Sequence, residues 1–194
     1  MVNIYELKLT VLQQRILRLL FIKAGTQVNQ NQIAKILQVS QPAVMKSLPT
    51  LEKQNCINMK QDKESKRWAI ELNRERPSMI GLKRVDNLKQ LYESGLIDYL
   101  YKMFAEATII LFGSYAFGED TIHSDIDLAV IGTKKEIIQK TFEKILERNI
   151  NINHYPSFKG IDKPLLHNIL NGIILKGAVE LWPYEHLKNT WEQA

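Results

Sequence analysis

The stretch Thr108–Ile131, TIILFGSYAFGEDTIHSDIDLAVI, leaves a chain few ways to fold. Ile109–Phe112 is a short apolar run rich in β-branched residues, which favours a strand. Gly113-Ser114 then gives a sharp turn, because glycine takes backbone angles closed to other residues. A polar connection leads into a second apolar strand that holds Asp125 and Asp127. Strand side chains alternate, so these two carboxylates share one face while Ile126, Leu128 and Val130 point elsewhere. Two carboxylates side by side in an apolar strand are costly unless a cation neutralises them. Oxygen ligands at close quarters suit Mg²⁺ (or Mn²⁺), which is held by one or two carboxylates together with substrate phosphates. Gly113 lets the backbone come close to a phosphate, and Ser114 offers both an N–H and a hydroxyl. Gly113 and Ser114 are therefore candidate nucleotide-binding residues, and Asp125 and Asp127 candidate metal ligands and catalytic residues. A phosphate grip beside metal carboxylates is the equipment of phosphoryl or nucleotidyl transfer.

An apolar strand, Gly-Ser, ten intervening residues and Asp-x-Asp in a second strand resemble the signature of the DNA polymerase beta-like nucleotidyltransferase superfamily, in its minimal form. The resemblance implies that Ser114 contacts nucleotide phosphate and that Asp125 and Asp127 hold divalent metal, with an NTP as substrate. It also implies a third carboxylate on a neighbouring strand, as a further metal ligand or as a base for the attacking hydroxyl. The alternation in NININHY makes residues 149–155 that strand, beside the Asp-bearing one, with Ile150 and Ile152 on one face and Asn151, Asn153 and Tyr155 on the other. No acid lies between Arg148 and Gly160. Asparagine can lend a carbonyl oxygen to a metal but takes no proton at neutral pH. His154 falls with the isoleucines, and Asp162 lies beyond the strand.

The first half of the chain has a different character. Residues 1–85 carry 15 Lys/Arg and 6 Asp/Glu, a net +9, whereas residues 86–194 carry 11 and 15, a net −4. The asymmetry points to two domains, the basic one facing nucleic acid. Leu9, Leu12, Ile16, Leu19 and Leu20 recur at helical steps up to Gly25. Asn29 or Asn31 caps a short second helix with Ile33, Ile36 and Leu37 on its apolar side. Ser40 is an N-cap with Pro42 in the first turn, opening a third helix that buries Val44, Leu48 and Leu51. Pro49 should bend that helix or end it early. From Ile57 the period becomes two, with Ile57 and Met59, a polar tip, then Trp68, Ile70 and Leu72, which is a hairpin.

Helix, short helix, turn, helix and hairpin resemble a winged helix-turn-helix over residues 6–73. The resemblance implies that the third helix enters the DNA major groove with Lys46, Thr50 and Lys53 outward, and that Lys63, Lys66 and Arg67 reach phosphate from the wing. The fold class expected is α+β in two domains: a winged helix over 1–73 and a small mixed α/β sheet of nucleotidyltransferase type over 108–194, joined by a helical connector over 74–107. In the connector, helices are expected over Ile80–Leu91 and Leu96–Phe104. After the Asp strand come a helix over Lys134–Arg148, with Ile137, Ile138, Phe142, Ile145 and Leu146 inward, and the NININHY strand. A helix over Leu165–Leu175 capped by Gly177 and a last strand in AVELW complete the order.

One cysteine, Cys56, excludes an internal disulfide and suits a reducing cytoplasm. The N-terminus lacks the basic-then-apolar pattern of a signal peptide, and no apolar run approaches membrane-spanning length. Two functions fit this reading. One is a nucleotidyltransferase that moves an NMP from Mg–NTP to an acceptor hydroxyl on protein or nucleic acid. The other is a DNA-binding transcriptional regulator whose nucleotidyltransferase-like domain binds nucleotide or a partner without catalysis. Minimal members of the superfamily act as antitoxins that nucleotidylate a toxin, so a toxin-like protein acceptor is admitted, as is a homodimer.

Overall fold

The computed structural model describes residues 9–63 and 67–179. The chain divides into two compact units, one of residues 1–89 with 117–124, the other of 90–116 with 125–194.

In the first unit, α1 (Val11–Ile22) starts at Thr10, whose hydroxyl accepts from the Gln13 N–H while the Gln13 amide accepts from the Thr10 N–H. Two donors that no helical carbonyl can reach are thereby satisfied. Asn29 and Gln32 repeat the device at α2 (Gln30–Leu37). Ser40 caps α3 (Gln41–Lys53), with Pro42 in its first turn. Val44, Leu48 and Leu51 are wholly buried, as their spacing required. Pro49 does not end this helix early, since α3 runs on to Lys53. Strands β1 (Ile57–Gln61) and β2 (Trp68–Leu72) pair antiparallel with Ile57 opposite Leu72 and Met59 opposite Ile70. Val28 adds a single bridge to Ile70. Ile16, Leu20, Ile33, Leu48, Leu51, Ile57 and Ile70 form one core, which Met79 joins. This arrangement of three helices and a hairpin is a winged helix. Then comes α4 (Pro77–Glu93), three residues earlier than the apolar pattern alone marks it, because proline is tolerated where a first-turn N–H has no partner.

In the second unit, α5 (Leu96–Met103) leads to β3 (Thr108–Phe112), the short α6 (Gly113–Phe117) and β4 (Ile126–Ile131). A helix, α7 (Lys140–Leu146), connects β4 to its parallel neighbour β5 (Ile150–Tyr155), and α8 (Lys163–Leu170) precedes β6 (Ile173–Lys176). The sheet order is β5-β4-β3-β6, with β3 antiparallel to β4 and β6 and with β4 parallel to β5. Ile110, Phe112, Ala129 and Ile131 pack on one sheet face against Ile161 and Ile169.

Three expectations are corrected. Residues 134–139 are irregular, so only Lys140–Leu146 of the expected Lys134–Arg148 helix forms, and Ile138 and Ile145 are exposed rather than inward. Here tertiary bonds compete with the helix: the Ile138 N–H donates to the Tyr99 hydroxyl, and Gln139 donates to the Ile150 carbonyl. The expected Leu165–Leu175 helix stops at Leu170, and the last strand described is Ile173–Lys176, where Asn171-Gly172 breaks the helix and two β-branched residues follow. Gly177 consequently follows a strand and caps no helix, while residues 180–182 of AVELW lie outside the described residues. Asp125 stands just before β4 rather than within it.

Candidate functional site

The site is built where three sheet positions meet. Phe112, the last residue of β3, lies opposite Asp127 on β4, and Asp127 lies in register with Asn151 on β5. Gly113 follows with φ +74°, and a Cβ there would sit 2.7 Å from Asp127 Oδ2. Only glycine gives both the left-handed turn and the room for that carboxylate. Asp125 and Asp127 are half-buried.

The two carboxylates converge on a single atom. Asn151 Nδ2 donates to Asp125 Oδ2 at 3.2 Å and to Asp127 Oδ1 at 3.0 Å. Asn149, just before β5 and two residues from Asn151, donates to Asp125 Oδ1 at 3.1 Å. The expected partner strand thus faces the pair with amides in place of an acid. An amide NH₂ carries partial positive charge, so the point it fills between the carboxylates is one where a cation is favoured. Rotating the Asn151 amide about its own axis replaces that nitrogen with oxygen, a third neutral ligand. The donor set is all oxygen, with two charges, and fits a hard divalent cation. Asp125 and Asp127, with Asn151, are the residues that would hold it.

Beside Asp127 lies a cleft of about 550 Å³, lined by Gln139, Asn151, Asn153, Tyr155 and Leu165 among others. Ser114 sits half-buried in the first turn of α6. His154 does not face the Asp pair: its ring packs on Phe104 with centroids 5.5 Å apart, and Nδ1 lies 3.2 Å from the Thr133 carbonyl. His123 is exposed, with its backbone N–H donating to the Thr121 hydroxyl. His167 bonds Asn171 in its own helix region, Asp162 is exposed at the start of α8, and His186 lies outside the described residues. Lys134 and Lys135 are exposed in the irregular stretch. Among the described residues no cluster of three or more His, Cys, Asp or Glu forms. Asn149 and Gln139 were not singled out by sequence; alternation with Asn151 is the signal that marks Asn149.

In the first unit, Lys46 and Lys53 are exposed and Thr50 is half-buried on α3. Lys63 and Arg67 are exposed at the tip between β1 and β2, where the Asp62 N–H donates to the Arg67 carbonyl at 2.8 Å. Lys66 lies outside the described residues.

The small mixed sheet thus brings Gly113 and Asp127 together where β3, β4 and β5 run side by side. Residues 95–178 match the family described as Polymerase beta, Nucleotidyltransferase, a stretch that takes in α5 through β6. That stretch is therefore similar to the polymerase beta-type nucleotidyltransferase family. No curated protein matches the chain. Among solved structures, an S. aureus MepR–DNA complex is 24% identical with a TM-score of 0.37, over 50% of this chain and 79% of that one. A mutant of Lactococcus lactis ZitR is 23% identical with a TM-score of 0.38, over 54% and 68%. Streptococcus pneumoniae FabT in complex with DNA is 16% identical with a TM-score of 0.36, over 51% and 64%. No helix among the described residues is long and apolar enough to cross a membrane.

Proposed function

We propose that the C-terminal domain binds a divalent cation and an NTP at Asp125, Asp127, Gly113 and Ser114 and transfers the NMP to an acceptor hydroxyl, while the winged helix binds DNA. The observation that carries this reading is the convergence of both carboxylates on Asn151 Nδ2, at 3.0 and 3.2 Å, with Gly113 leaving room for Asp127. In this reading the Ser114 N–H and hydroxyl, next to the left-handed turn at Gly113, grip a phosphate of the nucleotide. The cleft of about 550 Å³ beside Asp127 falls within the size range of small-molecule sites. When bound, the cation supplies charge neutralisation for the triphosphate. The acceptor oxygen forms a bond to the α-phosphorus, the bond from that phosphorus to the bridging oxygen breaks, and pyrophosphate leaves. The hydroxyl proton passes to water, because Asn151 and Asn153 cannot accept it and His154 is turned to Phe104 and Thr133. Basic charge on the first unit, with Lys46, Lys53, Lys63 and Arg67 exposed, supports DNA as its partner.

Asparagine at position 151 favours a second reading, in which the domain binds nucleotide without transfer and the chain is a transcriptional regulator. Label transfer separates the two. The chain is incubated with each α-³²P-labelled NTP and Mg²⁺ or Mn²⁺ in extract of its source cells, beside Asp125→Asn/Asp127→Asn. A labelled protein or RNA band that the variant loses supports transfer and reveals the acceptor class, a toxin-like protein among them. No label in any lane, with nucleotide binding intact, leaves the regulator.

A further inference from the structure

Strand β5 ends the sheet of the second unit, in the order β5-β4-β3-β6. Toward β4 it bonds through alternate residues: the Ile126 N–H donates to the Asn149 carbonyl at 2.9 Å and the Gly132 N–H to the Tyr155 carbonyl at 2.8 Å. In the parallel register of Asp127 on Asn151 and Ala129 on Asn153, the backbone groups of Ile150, Ile152 and His154 therefore point to the open edge. That edge is closed at its first position. The Ile150 N–H donates to Glu143 Oε1 at 3.1 Å, and the Ile150 carbonyl accepts from Gln139 Nε2 at 2.8 Å. Among the described residues nothing takes the outward backbone groups of Ile152 or His154. An edge left open in this way is a template for another chain.

The open edge borders the cleft beside Asp127. Ile150 and Ile152 line that cleft together with Gln139, Asn151, Asn153 and Tyr155. Alternation sends the two isoleucine side chains to the opposite face, and Ile150 is only 1% exposed, so the backbone edge is what meets the cleft. The cleft also lies across Asp127 from Gly113 and Ser114, because β3, which ends at those residues, and β5 flank β4 on opposite sides. In nucleotidyl transfer the attacking and leaving oxygens stand in line at phosphorus. With Ser114 holding the phosphates that leave, the acceptor comes from the side of β5. No Lys or Arg lines the cleft, whereas Asp127 does, and this is the wrong lining for a phosphate backbone. Amide side chains and unpaired strand backbone suit a neutral main chain with N–H and C=O groups of its own.

We infer that the open edge of β5 at Ile152 and His154 is the acceptor site, and that it takes an extended polypeptide segment as an added strand, laying a serine, threonine or tyrosine hydroxyl over the cleft toward Asp127. This rests on the reading of Asp125 and Asp127 as a nucleotidyl-transfer site. The added strand lies about 4.8 Å from β5. Main-chain bonds to Ile152 and His154 set its register, and alternate side chains enter the cleft. The side-chain oxygen bonds to the α-phosphorus, pyrophosphate leaves and the hydroxyl proton passes to water, so the product is an NMP joined to the polypeptide by a phosphodiester.

The test labels an extract of the source cells with the full chain, Mn²⁺ and each α-³²P-labelled NTP, and divides the label into protease-sensitive and nuclease-sensitive material. Binding of Mn²⁺ with NTP is followed separately by electron paramagnetic resonance. Ile152→Pro removes an edge N–H that the bonds to β4 do not use, and Asn153→Trp fills the cleft without touching the edge. Each is expected to lower protein labelling at least tenfold while Mn²⁺ and NTP bind within about twofold of the parent. Either variant suffices where the other does not fold. Label in nuclease-sensitive material, or protein label as strong in the folded variants as in the parent, overturns the inference and leaves transfer standing. Variants that lose the Mn²⁺ site together with the label put the edge in the cation site instead, and overturn the inference as well. No label with the parent overturns transfer and the inference with it.

Discussion

Asn151→Asp restores the acid that the third strand lacks, and its cost follows from the geometry. In the parent, Asn151 Nδ2 donates to both carboxylates at 3.0 and 3.2 Å. An aspartate there loses both bonds, each contributing about 1 kcal/mol, and sets a third negative group against the other two. Charges roughly 5 Å apart repel by about 1 kcal/mol at the dielectric of water and about 3 kcal/mol at an effective value near 20. The carboxylates are half-buried and Asn151 is exposed, so the lower figure governs. The sum is roughly 3–4 kcal/mol of destabilisation without metal, which for a unit of this size lowers the melting temperature by about 10 °C or more. A bound divalent cation reverses the repulsion, so Mn²⁺ should stabilise the variant much more than the parent, and label transfer should rise if proton removal limits it. Thermal melts in chelator and in excess Mn²⁺ check this. A variant that melts within about 2 °C of the parent in chelator, or gains no more than the parent from Mn²⁺, refutes the claim that Asn151 stands between two ionised carboxylates.

Other substitutions probe the turn at Gly113, the DNA-facing lysines and the buried thiol. Gly113→Ala forces a side chain into a left-handed conformation, at about 1–2 kcal/mol, and drives its Cβ against Asp127; Mn²⁺ titration should show at least a tenfold loss of affinity. Lys46→Ala and Lys63→Ala should each reduce the slope of log binding constant against log salt for a mixed-sequence DNA duplex by about 1, and unchanged slopes would remove α3 and the wing from the DNA interface. Burial pushes the Cys56 thiol above its ordinary range, with Arg76 opposing the shift. The fold therefore favours the neutral thiol, and its contribution to stability is present below the unfolded thiol's pKa and lost as pH rises through the raised value. Native Cys56 should react with a thiol reagent far more slowly than the unfolded chain, and equal rates would contradict its burial.

What the sequence reveals depends on how local the determining physics is. Ser40 and Asn29 announce helix starts because an N-cap bonds within three residues, and Val44, Leu48 and Leu51 announce a buried stripe through spacing alone. The face shared by Asp127 and Asn151 follows from strand alternation once NININHY is placed beside the Asp strand. That one Asn151 nitrogen bridges both carboxylates requires the register of two strands, which no periodicity fixes. Residues 134–139 read as helix because their apolar spacing fits one, yet Tyr99 and Ile150, distant in sequence, take their hydrogen bonds. Ile173-Ile174 extends an apolar run that continues a helix on paper, but pairing with β3 makes it a strand. Least legible is the Lys83–Asp120 pair: 37 residues apart, both charged, each would be assigned to solvent on composition alone, and both are buried.

Asp125 and Asp127 are proposed to form a divalent cation site that serves a nucleotide. Mn²⁺ titration of the full chain by electron paramagnetic resonance, with and without each NTP, compared with Asp125→Asn/Asp127→Asn, tests it most directly. A Mn²⁺ site is expected in the parent, tightened by at least one NTP and lost in the variant. Identical titrations for the two proteins, with no effect of any NTP, would contradict it.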